Sequence, residues 1–328
     1  MDRFSRRQAV GLLAAMIGAA QLPSMAEAKM RRTSLTGRLG IQLYMLDKEL
    51  TQDLPGTLRR LREIGYREVE VASFHGLSAQ QLRTEIDKAG LTCTSVHTSF
   101  EPFMPGSPNL TDMPGAIARF QALGSKNAVV AIYPFLKKLI KRPDAGTLLA
   151  DPGKAAAAVA EVGQQMTAEE WLAFARSLNE KGALLDKAGI RIGYHNHNVE
   201  FVKLANGQTA FDLLMANTDP ALVDFELDVG WAASAGHDPV ALIKRYGRRI
   251  TQLHLKDLTA GAASTSLGIH SVDIGKGMID WKHLLALLPG SRVQHAYVEQ
   301  EPPFVDPPIE GARVAYEFLA PRLAKARA

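Results

Sequence analysis

Imidazole and carboxylate side chains recur in this 328-residue chain just where short apolar runs end: His97, then His195, Asn196, His197 and Glu200, then Asp228, then His254, Lys256 and Asp257, then Glu299, Gln300 and Glu301. Carboxylate oxygen and imidazole nitrogen together suit manganese, zinc, iron or magnesium. His195 and His197 are two positions apart, so on a strand they face the same side. Singly, each has an ordinary alternative: a lone His is often a satisfied core group, Asp228 can cap a following helix, and Glu299 can pair with a lysine. Their common position is what points to a shared cation site.

The elements that must position these groups are short strands followed by amphipathic stretches. Strand-like runs fall at 40–44, 68–72, 92–97, 127–133, 190–195, 223–228, 250–255 and 295–299. Helical periodicity falls at 54–65, 78–89, 114–123, 167–188, 208–217, 239–246 and 281–288, and a glycine closes most of these segments. Strand–helix alternation predicts parallel strands with crossover helices. Eight such units predict an α/β fold, a single (β/α)8 TIM barrel over 29–328, whose chemistry belongs at the C-terminal strand ends. The first strand precedes no glycine-rich nucleotide fingerprint. Residues 134–166 and 259–280 form connections longer than a barrel needs, the kind that often serve as binding loops.

Composition is that of a globular chain, 46% hydrophobic and 22% charged. The single cysteine, Cys93, excludes an intrachain disulfide and a cysteine-based zinc site. The formal charge of +4 is contained within residues 1–32, and the remainder carries equal numbers of acidic and basic residues. Such a body predicts no nucleic-acid partner. At the N-terminus, Arg6-Arg7 precedes an apolar run from Ala9 to Ala20 and an Ala26-Glu27-Ala28 cleavage-like site. The run is too short for the roughly 20 residues of a membrane span. It predicts an export signal peptide over 1–28 of twin-arginine type, a periplasmic destination and no stable membrane anchor after cleavage.

Several strings are similar to the sugar phosphate isomerase/epimerase group, the xylose isomerase-like TIM barrel superfamily: GIQLYML (40–46), IGYREVEVASFHG (64–76), GYHNHNVEF (193–201), ELDVGWA (226–232), GRRITQLHLKDL (247–258), DIGKGMIDW (273–281) and YVEQE (297–301). The resemblance covers roughly 36–320. It implies one divalent metal ion (manganese, zinc, magnesium, cobalt or iron) held by Glu200, Asp228, His254 and Glu299. Relatives place the first of these ligands within the strand, where His195 stands here, so His195 is the alternative to Glu200. Lys276 occupies a position that is usually acidic.

The chemistry implied is proton transfer next to a carbonyl, through an enediolate, on a small-molecule carbohydrate. Glu200 and Glu299 are the acid–base candidates, with His97, His195, His197 and Lys256 polarising the carbonyl or moving hydroxyl protons. Trp231 and Phe201 would either line a sugar face or pack in the core. Export favours an unphosphorylated sugar or keto-sugar. The leading expectation is an isomerase/epimerase. The alternative is a lyase or dehydratase eliminating from a 3-keto-glycoside or keto-inositol with the same residues. An endonuclease of the same barrel type would need more metal ligands and a basic face, and a sugar-binding protein would not need a metal rim. Barrels of this family often form homodimers, and no segment of the sequence marks an interface.

Overall fold

The computed structural model describes residues 35, 37–102, 106–149, 152–259, 271–302, 304 and 306–326. The expected signal peptide and residues 260–270 of the long 259–280 connection lie outside them. Eight parallel strands close a barrel in the order β1 (Gly40–Gln42), β2 (Glu68–Val71), β3 (Thr92–Thr98), β4 (Asn127–Val130), β5 (Arg191–His195), β6 (Val223–Asp228), β7 (Ile250–Leu255) and β10 (His295–Val298), the last pairing with β1. Two short strands, β8 (Asp257–Leu258) and β9 (Ser271–Val272), pair antiparallel just beyond β7. The barrel predicted from strand–helix alternation is the barrel observed.

The sequences of the strands explain what faces where. Val69 and Val71, Ile192 and Tyr194, Phe225 and Leu227, and Leu253 and Leu255 are all buried in the main apolar core. Their neighbours one residue away include Glu70, His195, Glu226 and His254, equally buried, with Glu70 bonded to His254 and Glu226 to His97 between strands that are not adjacent. Alternation therefore sends one set outward beneath the helices and the other into the barrel. Barrel interiors are ordinarily filled by Val, Ile and Leu. This one is polar.

Helix starts follow capping chemistry. Ser78 with Gln81 and Thr167 with Glu170 form capping boxes. The first long helix, Asp47–Ile64, is two helices merged across a kink at Asp53, whose carboxylate accepts from the Gly56 amide at 2.9 Å. That second start explains why the apolar period begins near residue 54. The 134–166 connection is not a bare loop: it contains helices Leu136–Leu139, Ala145–Leu149 and Pro152–Gln164. No described helix is long and apolar enough to cross a membrane.

Candidate metal centre

Three side chains meet at the C-terminal end of the barrel. Asp228 ends β6, His254 lies on β7 and Glu299 follows β10. One donor atom from each lies within 4.8 Å of the others, and all three residues are buried. His254 Nδ1 is 3.0 Å from Glu299 Oε2 and 3.8 Å from Asp228 Oδ2. Asp228 is also a helix cap: Oδ1 accepts the Trp231 amide at 2.8 Å. Its Oδ2 is buried without a hydrogen-bond partner. Lys256 Nζ lies 3.0 Å from that oxygen, close enough for Coulomb attraction but off hydrogen-bond alignment. A buried carboxylate oxygen left this way, beside an imidazole nitrogen and a second carboxylate, fits a divalent cation.

Lys256 is fully buried and holds three carboxylates, with Glu299 Oε2 at 2.9 Å and Glu301 Oε1 at 2.5 Å beside Asp228. Its ammonium lies 4.7 Å from the Trp231 ring centroid. Gly230 makes room for its stem, since a Cβ there would come within 2.8 Å of Lys256 Cγ. Burial opposes the Lys256 charge, but the three carboxylates outweigh it and hold the ammonium well above its ordinary pKa. Burial likewise opposes ionised Glu299, and Lys256 and His254 reverse that, keeping it well below the usual carboxylate range.

Deeper in the barrel lies a second group. Glu226 Oε1 is 2.9 Å from His97 Nε2, 3.1 Å from His195 Nδ1 and 3.0 Å from His254 Nε2. Glu70 Oε2 is 2.6 Å from His254 Nε2 and 3.2 Å from His97 Nε2. Gln42 donates to Glu70 at 2.9 Å and Gln252 donates to Glu226 at 2.8 Å. His195 is pushed down to about 4 by burial and by the neighbouring His254, so its imidazole is neutral at pH 7.

The structure separates Glu200 from the other three expected ligands. Glu200 sits on a 3-10 turn, Val199–Phe201, fully buried. Its carboxylate accepts from the Tyr194 hydroxyl and from the His197 amide at 2.9 Å. Burial raises its pKa to about 7 against those hydrogen bonds. Tyr194 points out of the barrel into the core, and Glu200 goes with it. Of the two readings for strand 5, His195 is the one beside His254, with ring centroids 4.6 Å apart.

His97, His195, His197 and Glu299 line a cavity at this end, with Tyr44, Thr98, Ile132 and Glu301. His197 Nδ1 is buried without a hydrogen-bond partner. Burial, followed by His195 and Lys256, drives the His197 pKa well below its ordinary value. Trp231 packs against His197 and Lys256, and Phe201 stacks on Phe211, so both are packing residues. Asp257 is a loop anchor. It accepts from the amides of Gly275, Gly277 and Ile279 and from Trp281 Nε1 at 2.8 to 3.2 Å. Sequence reasoning missed Glu70 and Glu226. The signal was available: each sits in an expected strand, and Glu226 is two residues before Asp228 on the same face.

A closed eight-stranded parallel barrel with imidazole–carboxylate groups converging at its C-terminal end defines a TIM-barrel protein with candidate metal-binding residues. The chain belongs to the xylose isomerase-like TIM barrel family, whose match spans residues 58–322. It is 29% identical over 165 residues to the inosose dehydratase of Clostridium beijerinckii, covering 46% of this chain and 54% of that one. The chain thus spans about half the length of this curated relative. Among solved structures it resembles a sugar phosphate isomerase/epimerase of Parabacteroides distasonis, 25% identical with a TM-score of 0.65, covering 86% of this chain and 93% of that one. It shares its fold with the IolI protein, solved with a zinc atom bound, at 15% identity and a TM-score of 0.63, covering 88% of this chain and 98% of that one.

Proposed function

We propose that this protein is a divalent-metal-dependent lyase of dehydratase type, acting on an oxidised, unphosphorylated cyclic polyol or keto-sugar. The observation that carries this is the convergence of Asp228, His254 and Glu299 beside a cavity lined by His97, His195 and His197. The inosose dehydratase relatives favour elimination over simple isomerisation. A cation held by Asp228, His254 and Glu299 would supply Lewis-acid stabilisation of negative charge developing at a substrate carbonyl.

The chain's own residues divide the remaining work. His197 is the base: it lines the cavity, and burial keeps its ring neutral. It takes the proton from the carbon next to the carbonyl, the C–H electron pair moves into the enolate, and the bond to the β-substituent then breaks. Glu301, on the cavity wall with its pKa raised by burial and by Glu299, returns a proton to the departing oxygen. General acid–base help of this kind is worth about 10²–10⁴-fold. Glu200 acts one step back, holding the backbone at His197. Among the described residues no arginine or lysine lines the cavity, which suits an uncharged substrate over a sugar phosphate.

The same enolate reprotonated on its other face would give an epimer, the reading that the Parabacteroides structure favours. The test is to incubate the metal-loaded chain with inososes and 3-keto-glycosides and resolve products by mass. Loss of water or release of the glycosidic group supports the lyase. A product of unchanged mass replaces it with the epimerase.

We also propose export to the periplasm by the twin-arginine route, on the strength of Arg6-Arg7 and the short apolar run.

A further inference from the structure

We propose that the barrel holds a second divalent cation, deeper than the first, on His97 Nε2, His195 Nδ1 and Glu226 Oε1. This goes beyond the functional reading above and does not depend on it. Two imidazoles and one carboxylate make a facial donor set that suits divalent transition metals. Glu226 Oε1 is 2.9 Å from the His97 nitrogen and 3.1 Å from the His195 nitrogen. Around an ion with ligand bonds of about 2.1 Å, adjacent corners of an octahedron lie about 3.0 Å apart. Both Glu226 contacts already stand at that spacing. With His254 Nε2 they form a group whose ligand atoms all lie within 4.8 Å of one another.

His254 serves both positions without being shared as a ligand. Its Nδ1 faces Asp228 and Glu299, and its Nε2 faces Glu70 Oε2 at 2.6 Å. With Nδ1 on the upper cation, Nε2 carries the hydrogen and donates to Glu70, the carboxylate–histidine–metal arrangement that fixes a ligand's tautomer. Gln252 and Gln42 donate to Glu226 and Glu70 and leave each carboxylate another oxygen. Glu70 Oε1 is buried with no hydrogen-bond partner.

The test is metal stoichiometry. The chain is stripped with chelator, dialysed against Mn²⁺ alone or Zn²⁺ alone and assayed for bound metal, with circular dichroism to confirm folding. Two ions per chain are expected for the unaltered protein. His97→Ala and Glu226→Gln should each retain one, and Asp228→Asn should retain the other. Glu226→Gln combined with Asp228→Asn should retain none. A single ion per chain, unchanged by His97→Ala, overturns the deep site and leaves Glu226 as a hydrogen-bond acceptor. If Glu226→Gln does not fold, His97→Ala alone decides, since its ring is 12% exposed and not part of the sealed core. Product analysis is a separate readout, so failure of the lyase assignment leaves this count untouched.

Discussion

Asp228 divides its carboxylate between two tasks, capping a helix with Oδ1 and leaving Oδ2 to the centre. Asp228→Asn keeps the cap acceptor but loses the charge. It should weaken uptake of the upper cation by about a hundredfold or more, above the 10–100-fold typical of outer partners, with the barrel intact. Dialysis against graded free metal measures this, and unchanged affinity would remove Asp228 from the centre. Glu200 makes a different prediction. Its pKa in the fold, about 7, lies above the unfolded value near 4.5. The folded chain therefore holds this proton more tightly. The linked stability is fully present below about pH 4.5 and is lost as pH rises toward 7, by about 2–3 kcal/mol for a buried group. Glu200→Gln removes that dependence. Urea unfolding should show the variant gaining on the unaltered protein between pH 5 and pH 8, and a pH-independent difference would contradict the assignment.

At the scale of elements, Asp257 anchors residues 275–281 to the end of β7. Asp257 takes three backbone amides and the Trp281 indole, and Gly277 is required because a Cβ there would fall 2.2 Å from Asp257 Oδ1. Asp257→Ala strands several donors at once and should cost about 2–4 kcal/mol. Trp281 fluorescence should report looser packing in the native state. A variant as stable as the parent would mean that water replaces the carboxylate at no cost. The strand elements were legible because buried parallel strands read as short apolar runs. The inward carboxylates on β2 and β6 were less so. In sequence, Glu68, Glu70 and Glu226 look like the polar face of an exposed strand, and only closure of the barrel turns that face inward.

For the whole molecule, cation binding and folding are linked. Stability should rise with free metal by about 2.7 kcal/mol at a hundred times the dissociation constant. A melting temperature that ignores Mn²⁺ and Zn²⁺ would argue against any structural cation. Export is testable on the same scale. Arg6→Lys with Arg7→Lys should leave an uncleaved precursor in the cytoplasm, whereas normal export would assign the segment to the general secretory route.

Alternation of strands and helices with glycine stops was enough, from the sequence alone, to specify eight βα units, and an eightfold parallel pattern closes as a barrel. The same pattern located Asp228, His254 and Glu299, because each lies at or near the C-terminal end of its strand and all such ends meet at one rim. What only the tertiary structure decided is which neighbours of those residues turn toward the axis. Glu200 lies five residues beyond His195, past the end of the strand, where period-two alternation no longer applies. The 3-10 turn aims it at Tyr194 and into the core. Glu70 on β2 is brought to His254 on β7, and Glu226 on β6 to His97 on β3, between strands that do not pair, and such proximity across a barrel leaves no mark in local sequence. Strand ends follow from local periodicity, and partners across the axis follow from closure.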